Sequence, residues 1–371
     1  MPLSGRSVHP ELKSPEKRIK GTLWIKVDSR KPQISMIRIA AGIIRKGGLV
    51  AFPTETVYGL GADALNSEAV AKIFVAKERP EDNPIIVHIA DKKDLYRLAK
   101  NVPNEAKKLT AEFWPGPLTL ILKRSNLVPH ITVVGLDTIA VRMPNSKVAL
   151  ALIRESGTPI AAPSANRAGK PSPTTAQHVI DDLAGRIDVV LDGGPTKVGV
   201  ESTVIDMTTP TPRVLRPGGT SFEELKKLLC KVRLHPAATA EKGARALKAR
   251  APGIKHRHYA PEAQLILIEG KLNKVVARVK ELAAINMADG KKVGILATDE
   301  TMSDYDADVL KSLGSRSNVA TIARNLFRLL REFDMEEVDI IIAEGIPPKD
   351  LGLAVMNRLR RAANFNIVKA S

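Results

Sequence analysis

The segment from Gly47 to Gly61 constrains this chain more than any other, because in it an apolar strand runs directly into a cluster of polar groups. The predicted strand Leu49–Phe52 is followed by Pro53, two threonines, a carboxylate and two glycines. Core packing does not need that mixture, since every buried hydroxyl or carboxylate must find a partner. The segment therefore predicts a loop at the end of a strand that grips a small polar molecule.

Hydrophobic periodicity divides the 371 residues into two α/β regions. Residues 23–230 alternate many short predicted strands with helices, and Ser221 and Glu224 there have capping-box spacing. Residues 263–371 alternate continuous apolar strands with helices, which is typical of a small parallel sheet. Residues 231–262 lack an apolar period and predict a linker, and the polar residues 1–22 predict a flexible tail.

Composition excludes several classes of protein. No apolar run reaches about 18 residues, so no membrane span is expected, and the basic start lacks the apolar segment of a secretory signal. Cys230 is the single cysteine, which excludes an internal disulfide and a cysteine-rich zinc site. We therefore expect a cytoplasmic protein.

The formal charge of +17 favours polyanionic partners such as RNA or nucleotides. Charge alone is weak evidence for RNA binding, and the aromatic content of 4% argues against a base-stacking surface. Weak RNA binding stays open.

Common nucleotide and hydrolase motifs are absent or misplaced. Gly59–Ala64 fits the dinucleotide pattern G-x-G-x-x-A, but residues 53–58 separate it from the preceding strand. No P-loop pattern and no G-x-S-x-G elbow occurs. His256 has Lys255 and Arg257 as neighbours, which disfavours a zinc ion.

Charged and polar side chains stand where predicted elements end. Lys77 and Arg79 end a helix, and Ser164 and Asn166 follow a strand. Two neighbouring cations suit a polyphosphate, but a helix C-terminus favours such residues anyway, and turns favour serine and asparagine. From these residues alone, both interpretations stay open.

For the other candidate residues, a structural interpretation and a ligand-binding interpretation likewise both stay open. Arg142 and Arg216 end apolar strands, where an arginine needs either an anionic ligand or an internal acid. His88 lies between apolar neighbours and is either a core histidine or a ligand. Ser202 is either a turn hydroxyl or a ligand. The run Thr54–Thr56 is the hardest to explain without a ligand.

Together these motifs resemble the threonylcarbamoyl-AMP synthase family, with its YrdC-like domain. Order and spacing match over residues 23–230, and the later region resembles the longer, two-domain branch of the family, with Arg358 fitting its last helix. His256 departs from that branch, where a tyrosine is common. The matching motifs are Pro53–Leu60, Lys77-x-Arg79, Trp114–Thr119, Ser164-x-Asn166, Glu201–Thr203 and Pro252–Pro261.

The resemblance implies a YrdC-like twisted mixed sheet with helices, followed by a smaller C-terminal Rossmann-like parallel α/β domain. It implies an L-threonylcarbamoyladenylate synthase, a nucleotidyltransferase that forms threonylcarbamoyl-AMP and pyrophosphate from ATP, L-threonine and bicarbonate. The product would serve threonylcarbamoyladenosine modification of tRNA beside the anticodon. Mg²⁺ accompanying ATP is the implied cofactor, and the downstream tRNA threonylcarbamoyl transferase machinery is the implied partner.

The resemblance also assigns residues, and it assigns no metal to protein side chains. Threonine would be held by Thr54, His88, Arg142, the backbone at Ala162, and Ser202. Catalytic positioning would fall to Lys77, Arg79, Ser164 and Asn166. Tyr259 would close over the nucleotide, which would explain an aromatic in a long basic linker. The implied ATP ligands are Lys77, Arg79, Thr138, Ser164, Asn166, Ser172, Arg216 and Tyr259.

Two alternatives have to be weighed. Carbamoyl transfer in hydrogenase maturation uses a related domain, but it also needs a zinc-finger segment, which a single cysteine excludes. A non-catalytic RNA-binding module is favoured by the charge alone. Pyrophosphate release that requires ATP, threonine and bicarbonate together distinguishes the enzyme from the module.

Overall fold

The computed structural model describes residues 16–240 and 259–371. Residues 1–15 of the predicted tail and most of the predicted linker, including His256, lie outside this description. The strands of the described part are β1 (Glu16–Ile19), β2 (Thr22–Lys26), β3 (Val50–Pro53), β4 (Tyr58–Asp63), β5 (Ile86–His88), β6 (Ala99–Lys100), β7 (Leu118–Arg124), β8 (Thr138–Arg142), β9 (Ile160–Ala161), β10 (Val189–Asp192), β11 (Thr203–Asp206), β12 (Arg213–Arg216), β13 (Arg233–Leu234), β14 (Gln264–Gly270), β15 (Val293–Ala297), β16 (Val309–Ser312), β17 (Ile340–Glu344) and β18 (Ile367–Ala370).

The helices connect these strands and cover the sheets. They are α1 (Ile34–Arg45), α2 (Ser67–Lys77), α3 (Lys93–Leu98), α4 (Asn104–Phe113), α5 (His130–Val133), α6 (Lys147–Ser156), α7 (Ala176–Leu183), α8 (Phe222–Leu228), α9 (Pro236–Thr239), α10 (Leu272–Ala288), α11 (Val319–Met335) and α12 (Leu351–Ala362). The predicted capping box of α8 is confirmed, because Ser221 and Glu224 exchange both hydrogen bonds. None of the described helices is both long enough and apolar enough to cross a bilayer.

The first thirteen strands form one large sheet in the order β1-β2-β10-β3-β4-β9-β5-β8-β7-β11-β12-β13, with β6 paired to β7. Its pairings are mixed: β5 and β8 run parallel, whereas β7 and β8 run antiparallel. The predicted mixed sheet is confirmed.

The last five strands form a separate parallel sheet in the order β16-β15-β17-β14-β18. Strands β15 and β17 are buried along their whole length, because helices pack on both faces of the sheet. The predicted Rossmann-like parallel domain is confirmed.

The two domains share part of one hydrophobic core. Val57 and Val200 of the first domain cluster with Tyr259 and with buried residues of α11 and α12. At Gly199, where φ is +83°, a Cβ would lie 2.4 Å from the carbonyl oxygen of Ala323. The backbones of the two domains therefore approach each other closely.

One boundary prediction was wrong. Residues 16–22 do not belong to a flexible tail, because β1 pairs antiparallel with β2 through a turn at Lys20 and Gly21, both with positive φ. Residues 231–240 of the predicted linker are ordered by neighbouring elements, since β13 pairs with β12 and α9 follows it. Such short elements have no apolar period to reveal them.

Candidate active site

A cleft opens where several strand ends of the large sheet meet. His88 and Arg142 end the parallel neighbours β5 and β8 and lie opposite each other in register. The walls of the cleft are formed by Thr54, Thr56, Val57, Gly59, Arg79, Pro84, Ile86, His88, Arg142, Ala162, Pro163, Ser164, Asn166, Lys170, Ser172, Glu201, Ser202, Arg216 and Tyr259.

Most predicted site residues meet in this cleft although they are far apart in sequence. Two do not line it. Thr138 starts β8, about 13 Å along the strand from Arg142. Lys77 lies behind the wall. The predicted residues that line the cleft are Thr54, Arg79, His88, Arg142, Ala162, Ser164, Asn166, Ser172, Ser202, Arg216 and Tyr259.

The loop between β3 and β4 is held by its own threonines. Thr54 Oγ1 lies 2.8 Å from Thr56 Oγ1 and donates to the carbonyl of Val57 at 2.6 Å. Thr54, Glu55 and Thr56 are all buried. The hydroxyl groups of these threonines therefore stabilise the loop itself, and Thr54 and Thr56 also line the cleft.

Arg142 has an internal acid as its neighbour. Its Nη2 lies 2.7 Å from Glu55 Oε2, its Nη1 donates to Thr56 Oγ1 at 3.0 Å, and its Nε donates to Gly116 O at 3.2 Å. The Nη2–Glu55 contact is an ion pair without hydrogen-bond alignment, so Nη2 and both Glu55 oxygens lack a hydrogen-bond partner. A ligand carboxylate at this guanidinium would therefore have to compete with Glu55 for Nη2.

His88 is a neutral polar group in the wall of the cleft. Burial and the neighbouring Arg142 lower the pKa of His88 to about 3. Its Nδ1 has no hydrogen-bond partner among the described residues, and its ring meets Phe52 edge to face at 6.2 Å. Near pH 7 it offers one donor and one acceptor without charge.

Arg79 and the 164–166 turn form another wall. Arg79 Nη2 donates to Asn83 O at 2.8 Å, while its buried Nε has no hydrogen-bond partner. Burial lowers the pKa of Arg79 to about 10, so the guanidinium stays charged at neutral pH. Asn166 donates to Arg167 O and Lys170 O, and its Oδ1 is left without a partner.

Lys77 supports this turn from behind. Its ammonium group is buried and donates to the backbone carbonyls of Ser164 and Asn166. Burial lowers the pKa of Lys77 well below its ordinary value. This geometry makes Lys77 a support for the turn, and its predicted contact with ATP stays a prediction.

Glu201, Ser202 and Arg216 meet beside the start of β11 and the end of β12. Arg216 donates through Nε and Nη2 to Ser202 O at 3.2 and 3.0 Å. Ser202 Oγ lies 2.8 Å from Thr119 Oγ1, and Glu201 Oε1 accepts from Ser172 Oγ at 2.5 Å. Burial alone would raise the pKa of Glu201, but Arg358, Arg216 and the Ser172 hydrogen bond hold it at about 2.

Sequence reasoning missed the roles of Glu55, Glu201 and Arg358 in this site. Glu55 and Glu201 stand inside the quoted motifs, but their partners follow only from the fold: 157 positions separate Arg358 from Glu201. Within residues 16–240 and 259–371 no group of three His, Cys, Asp or Glu side chains is arranged to hold a metal ion. Glu201, which lines the cleft, and Glu55 behind it both face arginines.

Two family profiles match this chain. Residues 42–218 match the profile described as telomere recombination, and residues 220–364 match the one described as threonylcarbamoyl-AMP synthase, C-terminal domain. The threonylcarbamoyl-AMP synthase of Pyrococcus abyssi is 54% identical over 333 residues, which are 90% of this chain and 95% of that protein. The one from Bacillus subtilis is 47% identical over 345 residues, covering 92% and 96%.

The fold has a close solved counterpart. The crystal structure of P. abyssi Sua5 complexed with L-threonine superposes with a TM-score of 0.89 and 52% identity, covering 94% of this chain and all of that one. Similarity therefore extends through both domains. This chain belongs to the threonylcarbamoyl-AMP synthase family.

Proposed function

We propose that this protein is a threonylcarbamoyl-AMP synthase that uses the cleft to join L-threonine, bicarbonate and ATP, releasing pyrophosphate. The observation that carries the proposal is the arrangement of the cleft, where the Arg142 guanidinium and the neutral His88 stand beside a second cationic wall that contains Arg79. An amino acid suits the first wall and a triphosphate suits the second.

The threonine end is assigned to Arg142, Thr54, His88, Ser202 and the backbone at Ala162. Arg142 Nη2 would donate to the amino-acid carboxylate in competition with Glu55, with which it forms an ion pair at 2.7 Å. His88 is neutral and so neither repels the amine nor adds charge beside Arg142.

The triphosphate end is assigned to Arg79, Ser164, Asn166, Ser172 and Arg216, with Tyr259 against the nucleotide. The charge of Arg79 supports that assignment. Lys77 acts on this end through the turn, and Thr138 is retained as a predicted contact only.

The reaction that fits this arrangement has two bond-forming steps. The threonine amine attacks the carbon of bicarbonate, from which water leaves, or of the CO₂ formed by its dehydration, to which the amine adds with loss of a proton, and either route gives N-carboxythreonine. An oxygen of the new carboxylate then attacks the α-phosphorus of ATP while the bond to the β-phosphate oxygen breaks and pyrophosphate leaves. Catalysis would come from holding three reactants in line and from neutralising phosphate charge, with no covalent intermediate on the protein.

The residues present fit a magnesium ion that arrives with ATP. Glu201, the carboxylate that lines the described part of the cleft, faces Arg358, so that part leaves only hydroxyl and amide oxygens, such as those of Ser164 and Asn166, near the phosphates. When bound, the ion would neutralise part of the charge of the triphosphate.

The wider setting follows from the product. A threonylcarbamoyl adenylate is an activated acyl donor, so a transferase acting on tRNA must consume it. We place the enzyme in the cytoplasm, where ATP, threonine and tRNA occur together. The formal charge of +17 supports weak, salt-sensitive contact with RNA in addition.

The test is pyrophosphate release by the purified protein. We expect release only when ATP, L-threonine and bicarbonate are all present, together with an adenylate product that a mass spectrometer detects. Omission of any one substrate is the control. Salt-sensitive RNA binding without such release would contradict the proposal and favour the RNA-binding module.

A further inference from the structure

One arginine of the C-terminal domain reaches the wall of the cleft. Arg358 lies on α12 and is fully buried, and its Nε donates to Glu201 Oε2 at 2.7 Å. Glu201 belongs to the first domain and lines the cleft. The ion pair between the two domains thus includes Glu201, a carboxylate that lines the proposed substrate cleft.

Two cleft residues are in contact with this pair. The other carboxylate oxygen, Glu201 Oε1, accepts from Ser172 Oγ at 2.5 Å. The Arg358 guanidinium carbon lies 5.4 Å from the ring centre of Tyr259, and Tyr259 stacks on Phe327 of α11 at 5.2 Å with 27° between the rings. Both Ser172 and Tyr259 line the cleft.

The geometry points to Arg358 as a positioning residue for the nucleotide: it orients Ser172 through Glu201 and holds the ring of Tyr259, so that the C-terminal domain completes the ATP-binding wall. This inference rests on the proposed function for the identity of the ligand. The C-terminal domain is then part of the active site and not only a neighbour of it.

Packing alone does not account for this arrangement. A buried arginine–carboxylate pair is rarely more stabilising than apolar side chains of the same volume. Arg358 also keeps Nη2 buried without a hydrogen-bond partner among the described residues, which carries a cost. A functional reason for the pair is therefore expected.

The same helix provides a matched control. Arg360 on α12 is also buried and donates to Glu269 through Nε at 2.6 Å. That pair lies wholly within the C-terminal domain, and neither residue lines the cleft. A comparison of variants at Arg360 and Arg358 thus separates the effect of losing a buried ion pair from the effect of losing a contact with the cleft.

The experiment compares Arg358→Lys, Arg360→Lys, Ser172→Ala and the double variant Arg358→Lys/Ser172→Ala in the full-length protein. Steady-state pyrophosphate release gives KM and kcat, and calorimetry gives the affinities for L-threonine and for α,β-methylene-ATP, in which the reacting bond cannot break. We expect Arg358→Lys to raise KM for ATP and the Kd of the analogue by about 10- to 100-fold, the range for a lost charge-assisted hydrogen bond. The affinity for threonine and the behaviour of Arg360→Lys should stay close to those of the wild type.

The double variant tests the route of the effect. If Arg358 acts partly through Glu201 on Ser172, the double variant should lose less affinity for the analogue than the sum of the two single losses, because both substitutions break one chain of contacts, and the contact with Tyr259 accounts for the rest. Fully additive losses would overturn the inference, as would an unchanged ATP affinity in Arg358→Lys or an equal loss in Arg360→Lys.

If Arg358→Lys does not fold, a second variant still tests the inference. The pair Glu201→Gln/Arg358→Gln contains no buried charge, and we expect it to fold and still to bind the analogue weakly; wild-type affinity in that pair would overturn the inference. The proposed function fails separately, if the wild-type protein releases no pyrophosphate in the presence of all three substrates.

Discussion

At the scale of single residues, the cleft carries charges that are compensated in different ways. Arg142 faces Glu55, whereas Arg79 donates to the backbone carbonyls of Asn83 and Pro84. Arg142 therefore contributes both to stability and to the proposed threonine site, and the two contributions can be measured apart.

Arg142→Gln should lower stability and abolish threonine binding, whereas Glu55→Gln/Arg142→Gln should recover stability alone. The single variant leaves the buried Glu55 carboxylate without its cation, which costs about 3–5 kcal/mol of unfolding free energy. The double variant removes both charges. Urea unfolding and threonine calorimetry measure the two effects, and threonine binding by the double variant would contradict the assignment of Arg142.

His88 makes stability depend on pH. Its folded pKa of about 3, and that of His178 at about 4, lie below the ordinary value of 6.5. As pH falls from 6.5 to 4.5 the unfolded chain takes up protons that the folded chain does not, so stability is lost, by up to about 1.4 kcal/mol per pH unit for each histidine.

We expect His88→Gln to make the loss of stability at falling pH less steep. The urea midpoint measured at intervals from pH 7 to pH 4.5 should fall less steeply in the variant than in the wild type. His130→Gln is the control, because that side chain is exposed. Parallel curves for wild type and His88→Gln would show that His88 does not stay neutral in the fold.

At the scale of elements, the end of α2 and the 164–170 turn act as one unit. Lys77 bonds the carbonyls of Ser164 and Asn166, and Ala168 N donates back to Lys77 O at 2.9 Å. The wall of the proposed phosphate site is thus fixed from behind by a helix end.

Lys77→Met should loosen that wall. We expect about a tenfold or greater loss of ATP affinity, because two buried carbonyls lose their partner, together with faster amide exchange at Ala165 and Ala168. Lys72→Met is the matched control: Lys72 lies on the same helix and donates to Gly47 O at 2.8 Å, away from the cleft. Weaker ATP binding with unchanged amide exchange would instead indicate direct contact between Lys77 and phosphate.

At the scale of the whole molecule, arginines of the C-terminal domain hold the two domains together. Arg331 on α11 donates to both carboxylate oxygens of Asp182, at 3.2 and 2.6 Å, and to Pro171 O at 2.6 Å. Both members of the pair are buried. With the shared core around Val57 and Val200, this interface should make the domains unfold together.

Arg331→Met should lower the unfolding free energy by about 3–5 kcal/mol, since Asp182 stays buried and charged, and Asp182→Asn/Arg331→Met should recover most of it. Differential scanning calorimetry of the wild type should show one transition. Arg328→Met is the control, because Arg328 pairs within α11 to Glu332. Two separate transitions in the wild type would refute coupling of the domains.

Much of the fold was predictable, because apolar strands and helix caps leave local patterns. The parallel C-terminal sheet follows from continuous apolar runs, and α8 follows from its capping box. Strand β1 and helix α9 were missed, since each has only four residues and owes its structure to neighbouring elements. Most of the predicted site residues lie in one cleft, but Thr138 and Lys77 do not line it.

The sequence by itself determined the family, the two α/β regions and the types of side chain that the site uses, because these depend on local pattern and on motifs in a given order. Only the tertiary structure decided the partners: Glu55 for Arg142, two carbonyls for Lys77, and Glu201 for an arginine 157 positions away. The physical reason is that a buried charge is defined by what the fold brings within about 3 Å of it, and no spacing along the chain encodes that distance.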